Sequence, residues 1–214
     1  RKRSSAASDV YKRQTEVFPT TIDLKNQHNL KTVHQKEKVT IGWTGTHTTM
    51  HYLEEIFPVL DKLILKHDFN FLIISNQAPE TQRSYIEYLP WNKETEMTDL
   101  IRISIGVMPL KEDIWSSGKC GFKALQYMAC EIPTVLSPVG VNKEIIEHEV
   151  NGSFAQSAEE WEKTLSLLLS HVELRKKWGQ AGGKTIVERF STDSKTKQFL
   201  QLFESLNSFS QPTI

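Results

Sequence analysis

Short apolar runs alternate along this chain with stretches of helical spacing, and this alternation limits the fold more than any other feature. The run Phe69–Ser75 (FNFLIIS) is apolar almost throughout rather than at every second position, as in a parallel strand covered on both faces. A β-rich apolar run, 39–43, precedes it, and residues 50–67 between them have apolar side chains at helical spacing, with a kink expected at Pro58. Strand, helix and strand in that order predict a βαβ unit.

The same alternation continues along most of the chain. Further strands are predicted at 85–91, 103–108, 133–136 and 152–155, and helices at 94–101, 119–130, 143–148 and 192–209. A helical pattern also starts at Ser157, and we expect the glycines at 179, 182 and 183 to break it. Together the elements predict an α/β fold, namely a Rossmann-like, doubly wound parallel sheet with helices on both faces and long C-terminal helices.

Composition excludes several classes of function. The chain has 214 residues and is 38% hydrophobic, enough for one core. Its 26 basic and 26 acidic residues leave no net charge, so a nucleic-acid partner is not expected. Cys120 and Cys130 have neither zinc-site nor disulfide-framework spacing, and we expect no metal and no other cofactor. No apolar run reaches the length of a membrane span, which favours a cytoplasmic protein, with peripheral contact at the inner face of the membrane left open.

The first 38 residues differ from the rest of the chain. Residues 1–14 (RKRSSAASDVYKRQ) suit a transit peptide, but we favour non-native sequence and expect them to be disordered or loosely helical. Residues 15–24 predict a strand that ends at Pro19, and the polar residues 25–38 predict a linker. The folded domain is therefore expected to begin near residue 39.

A loop of small residues before the predicted 119–130 helix has the composition of an anion site. Gly118 and Gly121 allow a ligand close to the backbone, the helix start offers free N–H groups, and Lys119 and Lys123 add positive charge. The alternative is two solvated lysines on a first helical turn. Positive charge there opposes the helix dipole, which is a small argument for an anion that offsets it.

Two other loops follow predicted strands and reach the same edge of the sheet. In WTGTH (43–47), Gly45 suits a tight turn, and Thr46 is either a hydrogen-bond donor to a ligand or a helix N-cap. The loop lacks a G-x-G-x-x-G pattern, so dinucleotide binding is not supported. In SPVGVN (137–142), Val139 and Gly140 are either neighbours of a nucleotide or parts of a plain turn.

The segments GVMPL, WSSGKCGFKALQYMA, IPTVLSPVGV and NG together resemble the donor-binding half of GT-B glycosyltransferases of family 4, over roughly 15–207. The resemblance implies the C-terminal domain of a retaining glycosyltransferase that uses a nucleotide-diphosphate sugar, in a family involved in cell-surface polysaccharide synthesis. It implies that the donor diphosphate is bound by Gly45, Thr46, Lys119, Gly121 and Lys123, and the nucleotide and its ribose by Gln126, Val139 and Gly140.

The resemblance also implies a division of the chain. Residues 15–38 would be the end of a missing N-terminal domain plus a linker, 39–190 the nucleotide-sugar-binding domain, and 191–214 a helix that returns toward the missing domain. That domain would bind the acceptor, so this chain alone is expected to bind the donor weakly and to transfer nothing.

One departure from the family pattern leaves alternatives open. Many members carry two glutamates eight residues apart, and those positions are Gly118 and Gln126 here. No catalytic residue is assigned. Glu112 and Asp113 in the preceding loop are candidates to supply the missing carboxylate, and the alternative is that both are simply exposed loop residues. The alternatives to a transferase are a non-catalytic, degenerate GT-B domain and a nucleotide-sugar epimerase.

Overall fold

A computed structural model describes residues 17–34 and 37–208, without the side chains of 205–208. Its centre is one six-stranded sheet in which every pair of neighbouring strands is parallel. The strands are β1 (Val39–Gly45), β2 (Phe69–Ser75), β3 (Ile86–Pro90), β4 (Ile105–Met108), β5 (Thr134–Leu136) and β6 (Ser153–Phe154). Their order, β3-β2-β1-β4-β5-β6, reverses between β1 and β4 and confirms the doubly wound, Rossmann-like prediction.

Helices connect the strands and follow the last of them. They are α1 (His47–Met50), α2 (Phe57–Leu63), α3 (Glu96–Leu100), α4 (Ile114–Ser117), α5 (Phe122–Ala129), α6 (Asn142–Ile145), α7 (Ala158–Ser170), α8 (Val172–Thr185) and α9 (Thr192–Ser208). A 3₁₀ turn (His51–Glu55) joins α1 to α2, and a π turn (Ile186–Phe190) joins α8 to α9. Among the described residues, no helix is both long and apolar enough to span a bilayer.

Strand side chains alternate between the two faces of the sheet, and helices cover both faces. Ile41 and Trp43 of β1 point into a cluster with residues of α2 and α7, including Leu60 and Leu165. Other strand side chains, such as Leu72, point into clusters with α3 and α5 on the opposite face. Both faces are therefore buried, which explains why the strands are apolar at consecutive positions.

Two sequence-predicted elements are wrong in their details. Residues 50–67 do not form one kinked helix, because the segment divides into α1, the 3₁₀ turn and α2. Pro58 lies in the first turn of α2, where its missing N–H costs nothing, so it starts a helix instead of bending one. The strand expected to end at Pro19 is also absent from its described part, residues 17–19, and Ile22 beyond it forms an isolated bridge to Ser191.

The glycines at 179, 182 and 183 do not break a helix, since α8 runs through all three. Gly179 is needed for packing: a Cβ atom there would lie 2.0 Å from the carbonyl oxygen of Glu131. The expected break failed because glycine in a helix also permits close contact with another chain segment. The N-terminal tail, 1–14, lies outside the described residues.

Candidate functional site

A cavity of about 1050 Å³ opens at the carboxyl ends of β1 and β4, where the strand order reverses. Parallel α/β sheets bind ligands at this position because the loops on either side of the reversal diverge and leave a crevice. The cavity brings together six of the residues predicted from the sequence to contact the donor, namely Gly45, Thr46, Lys119, Gly121, Lys123 and Gln126.

Lys123 lies in the first turn of α5 and packs along the β1 loop. A Cβ atom on Gly45 would be 2.9 Å from Lys123 Cε and 2.4 Å from Trp43 Cζ2, so this close approach requires glycine. The ammonium lies 5.7 Å from the centroid of the Trp43 ring. Burial, and then the positive charge of Lys119, lower the pKa of Lys123 to about 8.

Lys119 lies in the loop before α5, and its Nζ atom is buried without a hydrogen-bond partner among the described residues. It lies 4.6 Å from the centroid of the Tyr52 ring, a cation–π contact that only partly replaces lost hydration. Within the described chain, neither Lys119 nor Lys123 forms an ion pair. The cavity therefore holds two ammonium groups that form no ion pair with a described carboxylate.

The start of α5 adds backbone donors beside these ammonium groups. Gly121 is the N-cap, with φ of +69° and no side chain to accept hydrogen bonds from the first turn of the helix. A Cβ atom at Gly121 would also lie 2.4 Å from Ile145 Cδ1, so both conformation and packing favour glycine. An uncapped helix start that lines a cavity is well suited to an anion.

Tyr127 fixes the position of the β1 loop. Its ring is fully buried against Gly106, and its hydroxyl accepts a hydrogen bond of 2.9 Å from the backbone N–H of Thr44. Burial raises the pKa of Tyr127, so the hydroxyl stays neutral. Thr46, two residues after Thr44, has an extended backbone at the N-cap of α1, but its side chain does not cap the helix. Its hydroxyl forms a hydrogen bond of 2.8 Å with the hydroxyl of Thr48.

Gln126, which the resemblance assigned to the nucleotide and its ribose, lies in a second wall of the cavity with Glu96 and Trp91, neither of which was predicted from the sequence. Its amide Nε2 donates to Glu96 Oε1 at 3.2 Å and lies 3.4 Å from His28 Nε2. The same Glu96 oxygen accepts a hydrogen bond of 3.2 Å from Trp91 Nε1. Burial lowers the pKa of His28, which favours the neutral ring. These residues come from separate segments, and no short sequence pattern joins them.

Val139 and Gly140 are not among the residues that line the cavity. Gly140 has φ of +53°, and a Cβ atom there would lie 2.6 Å from the carbonyl oxygen of Ser117. Their loop therefore packs against the backbone at the end of α4. In the same loop, the Ser137 hydroxyl accepts a hydrogen bond of 2.9 Å from Leu110 N. Contact of Val139 and Gly140 with a nucleotide stays a prediction.

The two acidic residues upstream of α4 have structural partners. Asp113 caps α4 by accepting a hydrogen bond of 2.6 Å from Ser116 N, which lowers the pKa of its carboxyl group. Glu112 lies 4.0 Å from Lys143 Nζ. In the described part of the chain, no three His, Cys, Asp or Glu side chains are grouped so as to hold a metal ion.

Comparison with protein families gives one match. Residues 38–171 match the family model for glycosyl transferases group 1, which is more than half of the chain. No curated protein matches the sequence.

Several solved structures share the fold. Sucrose-phosphate synthase from Thermosynechococcus elongatus superposes with a TM-score of 0.68 at 13% identity, over 92% of this chain and 54% of that one. The C-terminal domain of a group 1 family glycosyl transferase from Francisella tularensis matches at 0.55 and 18% identity, over 81% of this chain and 97% of the domain. HepE from Anabaena, solved with UDP-glucose, matches with a TM-score of 0.61 at 11% identity, over 79% of this chain and 49% of that one. The chain thus spans about half the length of the synthase and of HepE.

Proposed function

This chain belongs to the group 1 glycosyl transferases, and on that premise we propose that its cavity binds the diphosphate of a nucleotide-sugar donor. The observation that carries the proposal is the pair of lysines, Lys119 and Lys123, whose ammonium groups share the cavity and form no ion pair with any described residue. Burying uncompensated charge is costly, and a bound diphosphate would offset that cost at both lysines. HepE, which shares the fold, was solved with UDP-glucose, a ligand of this class.

The remaining groups suit a diphosphate as well. The backbone of the Gly45 loop approaches closely, Thr46 offers a hydroxyl, and the uncapped α5 start offers N–H groups next to Gly121. During transfer, negative charge builds on the departing diphosphate, and cations already in place stabilise it without rearrangement. Lys119 and Lys123 are thus proposed to assist departure of the leaving group as well as binding.

The wider reaction is also part of the proposal. The glycosyl group passes to an acceptor with retention of configuration, and the acceptor is bound by a part of the protein that corresponds to the other half of the longer structural neighbours. Gln126 is proposed to face the nucleoside, and Val139 and Gly140, which do not line the cavity, are proposed to contact it from the loop after β5. Any contact of the complete enzyme with the inner face of a membrane is peripheral.

Isothermal titration calorimetry of the chain with UDP, ADP and GDP tests the diphosphate site. Replacing Lys123 by alanine removes one charge-assisted contact, so we expect affinity for the best of these ligands to fall by about tenfold or more. The matched control is Lys176→Ala, which removes an exposed lysine of α8 that does not line the cavity.

The control should bind like the unchanged protein, and both variants should melt at its temperature. If none of the three diphosphates binds, or if Lys123→Ala binds as tightly as Lys176→Ala, the proposed site is wrong.

A further inference from the structure

Among the described residues that line the cavity, Glu96 is the only carboxylate, and the proposed diphosphate site does not use it. It begins α3, beyond the carboxyl end of β3, and none of the ion pairs among the described residues includes it. An acidic group in a cavity proposed to bind an anion is unfavourable unless the ligand brings hydrogen-bond donors to it.

Two N–H donors orient this carboxylate through a single oxygen. Oε1 accepts hydrogen bonds from Trp91 Nε1 and from Gln126 Nε2, both at 3.2 Å. No described residue donates to Oε2, which leaves that oxygen available to a ligand. The carboxylate is therefore held in place through Oε1, and Oε2 accepts no hydrogen bond from a described residue.

Gln126 is itself held from behind. It is only 5% exposed, and its amide nitrogen also lies 3.4 Å from Nε2 of His28, which is 3% exposed. With the His28 ring neutral, one amide hydrogen can serve His28 and the other Glu96. Gln126 thus orients Glu96 with one amide hydrogen while His28 holds the other.

The strand order indicates which part of the ligand reaches Glu96. Glu96 and Trp91 follow β3, whereas Lys123 packs against Gly45 at the end of β1, two strands away or about 10 Å at the usual strand spacing. That separation is comparable to the span of a nucleoside diphosphate. The Trp91 side chain, 45% exposed beside the carboxylate, presents an aromatic surface that suits a base.

We propose that Glu96, positioned by Gln126 and Trp91, accepts hydrogen bonds from the ribose 2′- and 3′-hydroxyls of the nucleotide, and so selects ribonucleotides over 2′-deoxyribonucleotides. The inference rests on the proposed function, because it takes the diphosphate to lie at Lys119 and Lys123. A cis-diol suits this site because a carboxylate can accept hydrogen bonds only, and a diol offers two adjacent donors.

The test compares UDP, ADP and GDP with their 2′-deoxy forms by calorimetry. For the unchanged chain, loss of the 2′-hydroxyl should weaken binding about tenfold, the usual effect of losing a hydrogen bond to a charged group. In Glu96→Gln, the ribose and deoxyribose forms should bind within about twofold of each other. The control is Glu94→Gln, an exposed neighbour outside the cavity lining, and it should keep the full preference.

A positioning role for Gln126 has its own outcome. In Gln126→Leu, Glu96 remains but loses an orienting donor, so the preference for ribose should shrink without vanishing. Inorganic pyrophosphate should bind equally well to the unchanged chain, Glu96→Gln and Gln126→Leu, which shows that the variants remain folded.

The outcomes separate this inference from the proposed function. If the diphosphates bind and depend on Lys123, but Glu96→Gln keeps the preference for ribose, the Glu96 assignment is wrong and the diphosphate site survives. The assignment would also be overturned if Glu96→Gln weakened the binding of GDP alone, and by the same factor for its ribose and deoxyribose forms. Glu96 would then contact the base. If no diphosphate binds, both proposals fail.

Discussion

The surroundings of the Lys123 side chain disfavour its charged form. Burial and the nearby ammonium of Lys119 lower its pKa to about 8 from the model-compound value of 10.5. The charged form predominates below pH 8 in the free protein and is lost above it, whereas an ordinary lysine stays charged to beyond pH 10. A diphosphate interacts with the charged form, so binding above pH 8 must include uptake of a proton.

We therefore expect affinity for a nucleoside diphosphate to be nearly constant from pH 7 to 8 and to fall above pH 8, by up to about tenfold per pH unit. Calorimetry between pH 7 and 9.5 measures this fall. The comparison is Lys123→Arg, because an arginine stays charged over the whole range. A parallel fall in both proteins would mean that the pH dependence comes from another group.

Among individual residues, the sequence singled out the lysines on the cation side of the cavity and Gln126 on the opposite wall, but not Glu96 or Trp91 beside it. Lys119, Gly121 and Lys123 are close in sequence, so one loop and one helix turn suffice to place them together. Glu96 reaches Gln126 only because β3 and α5 meet in the folded chain. Sequence composition cannot reveal a contact between such distant segments, and the family pattern placed its two acidic positions at Gly118 and Gln126, not at Glu96.

Helix α5 is the element on which most of the site depends, since it carries Lys123, Gln126 and Tyr127. Its end is held by α8, where Gly179 packs against the carbonyl oxygen of Glu131 just past the last turn of α5. Glu131 has φ of 56°, the left-handed conformation that commonly ends a helix. The position of α5 is thus set at a backbone contact that admits no side chain on α8.

Alanine at Gly179 would place Cβ 2.0 Å from that oxygen, so we expect Gly179→Ala to destabilise the fold by about 3 kcal/mol, despite alanine's better helix propensity. Gly182→Ala in the same helix is the matched comparison. Its Cβ would meet atoms no nearer than 3.3 Å, and we expect a change of less than about 1 kcal/mol. Urea unfolding of both variants measures the difference, and equal stabilities would contradict this account of α8.

The strands were predicted well because burial on both faces leaves a signal in the sequence itself. Phe69–Ser75 has the predicted bounds, and each of the other strands overlaps its predicted run. The helices were harder where packing overrides local preference. Pro58 and Gly179 look like interruptions in isolation, yet each fits a position that only the tertiary structure defines.

For the whole molecule, the cavity has a rim of exposed apolar side chains. Ile114 is 96% exposed, Trp115 76% and Phe122 40%, and all three line the cavity. The longer structural neighbours have about twice the length of the matched region. An apolar rim of this kind suits a cavity that further protein groups cover during the proposed reaction.

We accordingly expect the 214-residue chain to bind a nucleoside diphosphate but to transfer no sugar. The proposed binding uses the cation pair and the wall formed by Glu96, and this chain contains both. Transfer also needs an ordered acceptor and exclusion of water, and an open cavity supplies neither. The measurement is release of free sugar and nucleoside diphosphate from UDP-glucose, ADP-glucose and GDP-mannose, with and without simple sugar acceptors. Release or transfer that Lys123→Ala abolishes would contradict this expectation, because it would show that one Rossmann-like domain suffices for catalysis.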